Sequence, residues 1–282
     1  IEHPAVLETA NELANRGFRV QRAPVDSTGT VLVDRLVELV DDDTFLVSVM
    51  YANNEVGSLQ PVRRLAKAVK KKSPGVLFHS DAVQAFGREE ISLADGALDL
   101  VSISSHKIHG PRGAGALYAK KGTKLKPLIC GGGQEKGLRS GTENVVALAG
   151  FAAAAELLQR TRKADRERTR EIMAALRRIV IENLDGVIIN GHPENGLAEI
   201  LSLGTAGLKS QNLLHFLEDE GVIVSAGSAC HSTRTKRSHV IEAMGIPPEY
   251  AIVRISGSRY TTMEEAEEAG HIIVSVVNKL RR

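Results

Sequence analysis

Apolar residues recur at helical spacing between Pro4 and Arg16, at Val6, Leu7, Ala10, Leu13 and Ala14, and Gly17 stands where such a helix would stop. Phe18 to Ala23 then reads as a strand and Val33 to Val40 as a second helix. The nearly unbroken apolar run from Phe45 to Met50 predicts a strand covered on both faces. Pro61 suits the opening turn of a third helix, where a missing N–H costs nothing, and Val62, Leu65, Ala66 and Val69 form its buried stripe. Further strands are expected at Val76 to Phe78, Leu98 to Ile103 and Ala114 to Ala119. Strand thus alternates with helix, which predicts an α/β fold built on a mostly parallel sheet with helices on both faces. In open sheets of this kind ligands gather beyond the carboxyl ends of the strands, and Asn54, Asp81 and Lys107 each fall just past such an end.

From Val145 to about Leu184 alanine, leucine and charged residues dominate, reading as one or two long helices. Short strands are expected beyond them at Val187 to Ile189, Ile200 to Leu203, Val222 to Ser225 and Ile252 to Ile255, with helices near Gln211 to Glu220 and Ser238 to Met244. The last helix should start at Thr262, because Glu265 three residues on completes a capping box and Lys279 and the arginines fall at the dipole's negative end. The pattern divides the chain into a large domain, residues 1–150, and a smaller C-terminal α/β domain, residues 151–282.

Composition narrows the class. A hydrophobic content of 43% and a charged content of 25% are those of a globular protein rather than a disordered or fibrous one. The net charge of +2 is spread along the chain, so no nucleic-acid or acidic-lipid partner is indicated, and Lys70-Lys71-Lys72 reads as the solvated end of a helix. No apolar run is long enough to cross a membrane and no signal sequence opens the chain, which predicts a cytoplasmic protein. The chain enters at Ile1 as if in the middle of a domain and is expected to be truncated at its front. Its two cysteines, Cys130 and Cys230, lack the spacing of a zinc knuckle or a disulfide framework.

Six stretches carry chemistry. The run Asp99 to Ser104 delivers Ser105, His106 and Lys107 at the end of a strand before a glycine turn, and Val76 to Ser80 ends on Asp81 with Gln84 close by. A lysine able to hold an aldehyde as an imine, with an aspartate able to keep a pyridine nitrogen protonated, is what pyridoxal phosphate requires. Asn53-Asn-Glu-Val-Gly57 follows another strand and reads equally as a plain turn. Gly131-Gly-Gly133 together with Arg139, Ser140 and Thr142, ahead of a helix, suits a phosphate. Cys230 lies among small residues beside His231, with Lys236 and Arg237 near, a setting that favours a thiolate, whereas Cys130 reads as structural. Arg254 and Arg259 leave a strand together, and either guanidinium could take a carboxylate.

In order along the chain, Glu2-His3, Asn53-Asn-Glu-Val-Gly57, Ser80-Asp-Ala-Val-Gln84, Ser105-His-Lys-Ile-His-Gly-Pro111, Gly131-Gly-Gly-Gln-Glu135, Arg139-Ser-Gly-Thr142 and Gly227-Ser-Ala-Cys230 resemble the cysteine desulfurases. These are pyridoxal-phosphate enzymes of fold type I in the aminotransferase class V group, here the NifS/IscS-like branch. The resemblance runs from residue 1 to the C-terminus. It implies conversion of L-cysteine to L-alanine, with selenocysteine lyase, or a non-catalytic sulfur-accepting module, as alternatives. Lys107 would hold the cofactor aldehyde and, once displaced, move the Cα proton; His3 would stack on the ring and help transfer protons; Asp81 would pair with the ring nitrogen and Gln84 with the ring hydroxyl. Ser104 and His106 would hold the phosphate, Thr142 would reach the phosphate of a neighbouring subunit in a homodimer, and Asn54 and Arg254 would grip the substrate carboxylate. Cys230 would attack the substrate sulfur and carry it as a persulfide to an acceptor such as an iron–sulfur scaffold. No resident metal is implied, Cys230 being the one candidate for an iron–sulfur ligand.

Overall fold

The computed structural model describes residues 1–226 and 237–282. The chain divides into two compact units, one made of Val40–Tyr51 and Val62–Arg162, the other of Ile1–Leu39, Ala52–Pro61 and Lys163–Arg282.

The first, the parallel unit, holds β1 (Leu46–Ser48), α3 (Val62–Lys72), β2 (Leu77–Asp81), β3 (Leu100–Ser104) and β4 (Gly115–Ala119). The strands lie in the order β1-β2-β3-β4, the first three parallel and β4 antiparallel to β3, and this sheet is the mostly parallel one the pattern predicts. The expected stripe of α3 is buried, with Leu65, Ala66 and Val69 at 0% exposure, which makes the helix cover the sheet by the hydrophobic effect. Its C-terminal end is tied to the sheet by a buried acid. Asp99 Oδ2 accepts from Lys70 Nζ at 2.5 Å and from the Phe78 backbone N–H at 2.7 Å, and Lys70 also donates to the Val76 carbonyl at 2.6 Å. Lys70 is therefore committed to the sheet rather than to solvent.

The other, the antiparallel unit, contains α1 (Pro4–Asn15), α2 (Val33–Leu39), β5 (Val187–Asn190), β6 (Ile200–Ala206), α5 (Ser210–Asp219), α6 (His239–Ala243), β7 (Tyr250–Ser256) and α7 (Met263–Leu280). The residues of the single long helix α4 (Val145–Asn183) are shared between the two units. Strands β5-β6-β7 form an antiparallel sheet whose core includes Leu203, Leu213, Leu217, Val253, Ile273 and Val277. Thr262 caps α7 and the predicted capping box with Glu265 is formed. Among the described residues no helix is long and apolar enough to cross a membrane.

Three local expectations are corrected. Phe18 to Ala23 is not a strand: Phe18 and Val20 are 48% and 41% exposed, so the segment has no buried face to dock as a strand. Val222 to Ser225 makes only a single bridge, Ser225 to Arg254, since Ile223 is 84% exposed while Val222 and Val224 pack on the core without a ladder. The strand at Phe45 is shorter than expected and not covered on both faces, because it lies at the end of the sheet, with Phe45 exposed at 54%.

Candidate active site

In the parallel unit the chemistry-bearing side chains sit where the strands end. Asp81 is the last residue of β2 and pairs in register with Ser102 of β3, so Ser104, two residues further on, emerges on the same face. The Val83 backbone N–H donates to Asp81 Oδ1 at 2.9 Å, which fixes the carboxylate and leaves Oδ2 without a hydrogen bond from the described residues. Beneath it runs a polar row that sequence reasoning missed: His79 Nδ1 lies 2.8 Å from Ser48 Oγ, and His79 Nε2 lies 2.9 Å from Ser102 Oγ. Burial pushes the His79 pKa down, with the charge of Asp81 opposing. Spacing offered one signal for it, since His79 is two residues before Asp81 and so shares its face.

After Ser104 the chain enters a tight 3₁₀ turn, Ser105–Ile108, which carries Lys107 and ends on His109 in the left-handed region at φ 63°. Gly110 follows because a Cβ there would lie 2.3 Å from Ser105 Oγ. Ser104 Oγ and His106 Nδ1 are 2.8 Å apart, so the two expected phosphate ligands already share a hydrogen bond. Burial, then the charges of Lys107 and Arg112, lower the His106 pKa. Arg88, which the sequence did not single out, links two expected site residues. Its Nη1 donates to Gln84 Oε1 at 2.8 Å and its Nη2 to the Lys107 carbonyl at 3.3 Å. The glycine-rich loop closes on itself through Gly141 N–H to Gln134 Oε1 at 3.1 Å, and Thr142 at its end is exposed. Cys130 is exposed too, since the three glycines after it offer no side chains to bury it, which corrects its structural reading.

In the antiparallel unit the two asparagines divide the labour. Asn53 is the turn residue: its Oδ1 accepts from the backbone N–H groups of Glu55 at 2.8 Å and Val56 at 2.9 Å, and its Nδ2 donates to the Ile1 carbonyl at 2.9 Å. Asn54 is thereby presented with its carbonyl accepting from Arg254 Nη1 at 2.8 Å. Arg254 sits on β7 and is clamped by a reciprocal backbone pair with Ser225, while its Nε is buried without an acceptor among the described residues. Arg259 is engaged elsewhere, with Asp165 at 3.3 Å and over the Tyr260 ring at 5.6 Å. His3 is the N-cap of α1: its Nδ1 accepts from Ala5 N–H at 3.1 Å, placing the ring proton on Nε2. Glu55, also unforeseen, is buried and accepts from Ser238 Oγ at 2.5 Å. Cys230, with His231 and Lys236, lies outside the described residues.

The parallel unit therefore offers a carboxylate with a spare oxygen, an amine on the adjacent strand end, and a hydroxyl–imidazole pair. Such a set suits a ligand with a protonated ring nitrogen, an aldehyde and a phosphate. The antiparallel unit offers a guanidinium for a carboxylate.

Residues 1–268 match the aminotransferase class-V family, and the chain belongs to that family. It is 39% identical to the cysteine desulfurase IscS of Methanosarcina thermophila, over 100% of this chain and 69% of that protein. It is 36% identical to the cysteine desulfurase NifS of Azotobacter vinelandii, over 100% of this chain and 70% of that protein. Among solved structures, a NifS-like protein superposes with a TM-score of 0.92 at 39% identity, covering 99% of this chain and 74% of that one. The fold is accordingly the NifS-like α/β fold expected from the sequence.

Proposed function

We propose that the protein is a pyridoxal-phosphate-dependent cysteine desulfurase, turning L-cysteine into L-alanine and passing the sulfur on for iron–sulfur cluster, thio-cofactor or tRNA biosynthesis. The observation that carries this reading is Asp81 at the end of β2 and Lys107 in the turn that follows the adjacent parallel strand β3, in a chain whose relatives bear that name. Asp81 fits the ring nitrogen with its spare oxygen; Lys107 fits the aldehyde; Ser104 and His106 fit the phosphate, with Gln84 near the ring hydroxyl and His3 as the stacking group. The bound cofactor supplies a sink for electrons released at the substrate Cα. Arg254 and Asn54 orient the substrate by its carboxylate, and Lys107 Nζ moves the Cα proton. The Cys230 thiolate forms an S–S bond with the substrate sulfur; the C–S pair stays with the substrate carbon, which takes up a proton and leaves as alanine.

The test follows alanine and enzyme-bound persulfide together. Cys230→Ser should still bind cysteine but form neither product, while Cys130→Ser should match the parent. Normal alanine production by the Cys230 variant would overturn the sulfur-transfer step, and faster turnover of selenocysteine than of cysteine would redirect the reading to a selenocysteine lyase. Thr142 is assigned to the cofactor phosphate of a partner copy, so the active species should sediment as a homodimer; a fully active monomer would remove that role.

A further inference from the structure

Desulfuration as set out above needs no acid at position 55, yet Glu55 is buried to 6% exposure directly beside Asn54. Its backbone is pinned by Asn53 Oδ1 and its Oε2 receives the Ser238 hydroxyl, the group that also caps α6 through the N–H groups of Val240 and Ile241. Two charged or polar groups face it: Ser238 from the cap of α6 and the Arg254 guanidinium from β7. Burial pushes its pKa up, with Ser238 and Arg254 opposing. Arg254 in turn spends Nη1 on the Asn54 carbonyl, so the carboxylate of Glu55 and any carboxylate brought to the arginine act on the same cation. Two carboxylates facing one partly buried guanidinium repel each other.

Resting on the assignment of Arg254 to the substrate carboxylate, we infer that Glu55 is a positioning residue that weakens the hold of Arg254 on carboxylates and so lets alanine leave. Cysteine and alanine carry the same carboxylate, and an arginine without a counter-charge would retain the product as firmly as it captures the substrate. By linkage, a carboxylate arriving at Arg254 favours proton uptake by Glu55, and a protonated Glu55 favours the carboxylate.

Glu55→Gln keeps the shape and the acceptor oxygen for Ser238 but removes the charge. Titrating L-alanine into the holoenzyme by calorimetry, we expect this variant to bind about fivefold more tightly than the parent near pH 8. That advantage should shrink toward one as the pH falls and the parent's Glu55 takes up its proton. KM and kcat for cysteine should fall together, whereas cysteamine, which lacks the carboxylate, should bind parent and variant alike. Glu55→Asp, which retains the charge, should behave as the parent. Weaker or unchanged alanine binding by Glu55→Gln overturns the inference, as does an equal gain for cysteamine. If Arg254→Ala also leaves alanine binding unchanged, the failure belongs to the assignment of Arg254 and not to Glu55.

Discussion

The two units place their reactive side chains by different means. In the parallel unit the backbone ladder does the placing: Asp81 and Ser104 sit on neighbouring strands in fixed register, and Lys107 follows within one tight turn. In the antiparallel unit the backbone of Arg254 is laddered too, opposite Ser202, but its guanidinium and the Glu55 carboxylate are set by hydrogen bonds between residues distant in sequence, Arg254 to the carbonyl of Asn54 and Ser238 to Glu55. A strand end tolerates the loss of its last side chain because the ladder stays intact. A network of side-chain contacts loses position and packing together.

That contrast is testable first at Lys107. Lys107→Ala should cut alanine formation by at least about 10²- to 10⁴-fold, the share of general acid–base transfer alone. The melting temperature should stay within a few degrees of the parent, since the turn is held by backbone bonds around Ser105 and by Gly110. A large loss of stability would mean that the strand end is not the independent platform described here. The parallel unit should instead be fragile at Asp99, far from the chemistry. Asp99→Ala leaves the Phe78 N–H buried without its acceptor and Lys70 with the Val76 carbonyl alone. Removing one partner of a buried pair costs about 3–5 kcal/mol, measurable by urea unfolding followed by circular dichroism.

A smaller effect should appear with pH. The folded-state pKa of His79 is depressed by burial below its ordinary 6.5, so on acidification the unfolded chain takes the proton first. Its contribution is complete above about pH 6.5 and is lost as pH falls through the lower folded value. Unfolding curves from pH 8 to 5 should therefore slope less steeply for His79→Asn than for the parent, and equal slopes would remove His79 from the polar row under Asp81.

The same contrast explains what the sequence could disclose. Lys107, Asp81 and the stripe of α3 were legible because strand ends, glycine breaks and helical periodicity are local patterns. Arg88 and His79 were missed although each lies within a few residues of an expected site residue: the period-2 spacing of His79 from Asp81 gives its face but not its partners Ser48 and Ser102, and nothing local ties Arg88 to Lys107. Glu55 was hidden altogether: its meaning depends on Ser238 and Arg254, which only folding brings to it. That Arg259 is engaged by Asp165 and Tyr260 likewise shows only in the folded chain. Phe18 to Ala23 failed in the opposite direction, since its apolar residues Phe18 and Val20 stay exposed and give a strand no buried face.

The smallest expected effect probes whether local design also operates in the antiparallel unit. Thr262 accepts from the Glu265 N–H at 3.2 Å while Glu265 Oε2 accepts from the Thr262 N–H at 2.8 Å, a reciprocal pair on the exposed start of α7. Thr262→Ala removes the hydroxyl and with it one satisfied orphan donor of the first turn, at about 1 kcal/mol. Glu265→Ala removes the other half. Because the two bonds close one ring, the double variant should cost less than the sum of the singles, a non-additivity readable in urea midpoints at constant m-value. Alanine production should be unchanged in all three, since Ala266, Ile273 and Val277 still hold α7 to the core that carries β7 and Arg254. Loss of activity without loss of stability would show that this helix start reaches the site by a route other than packing.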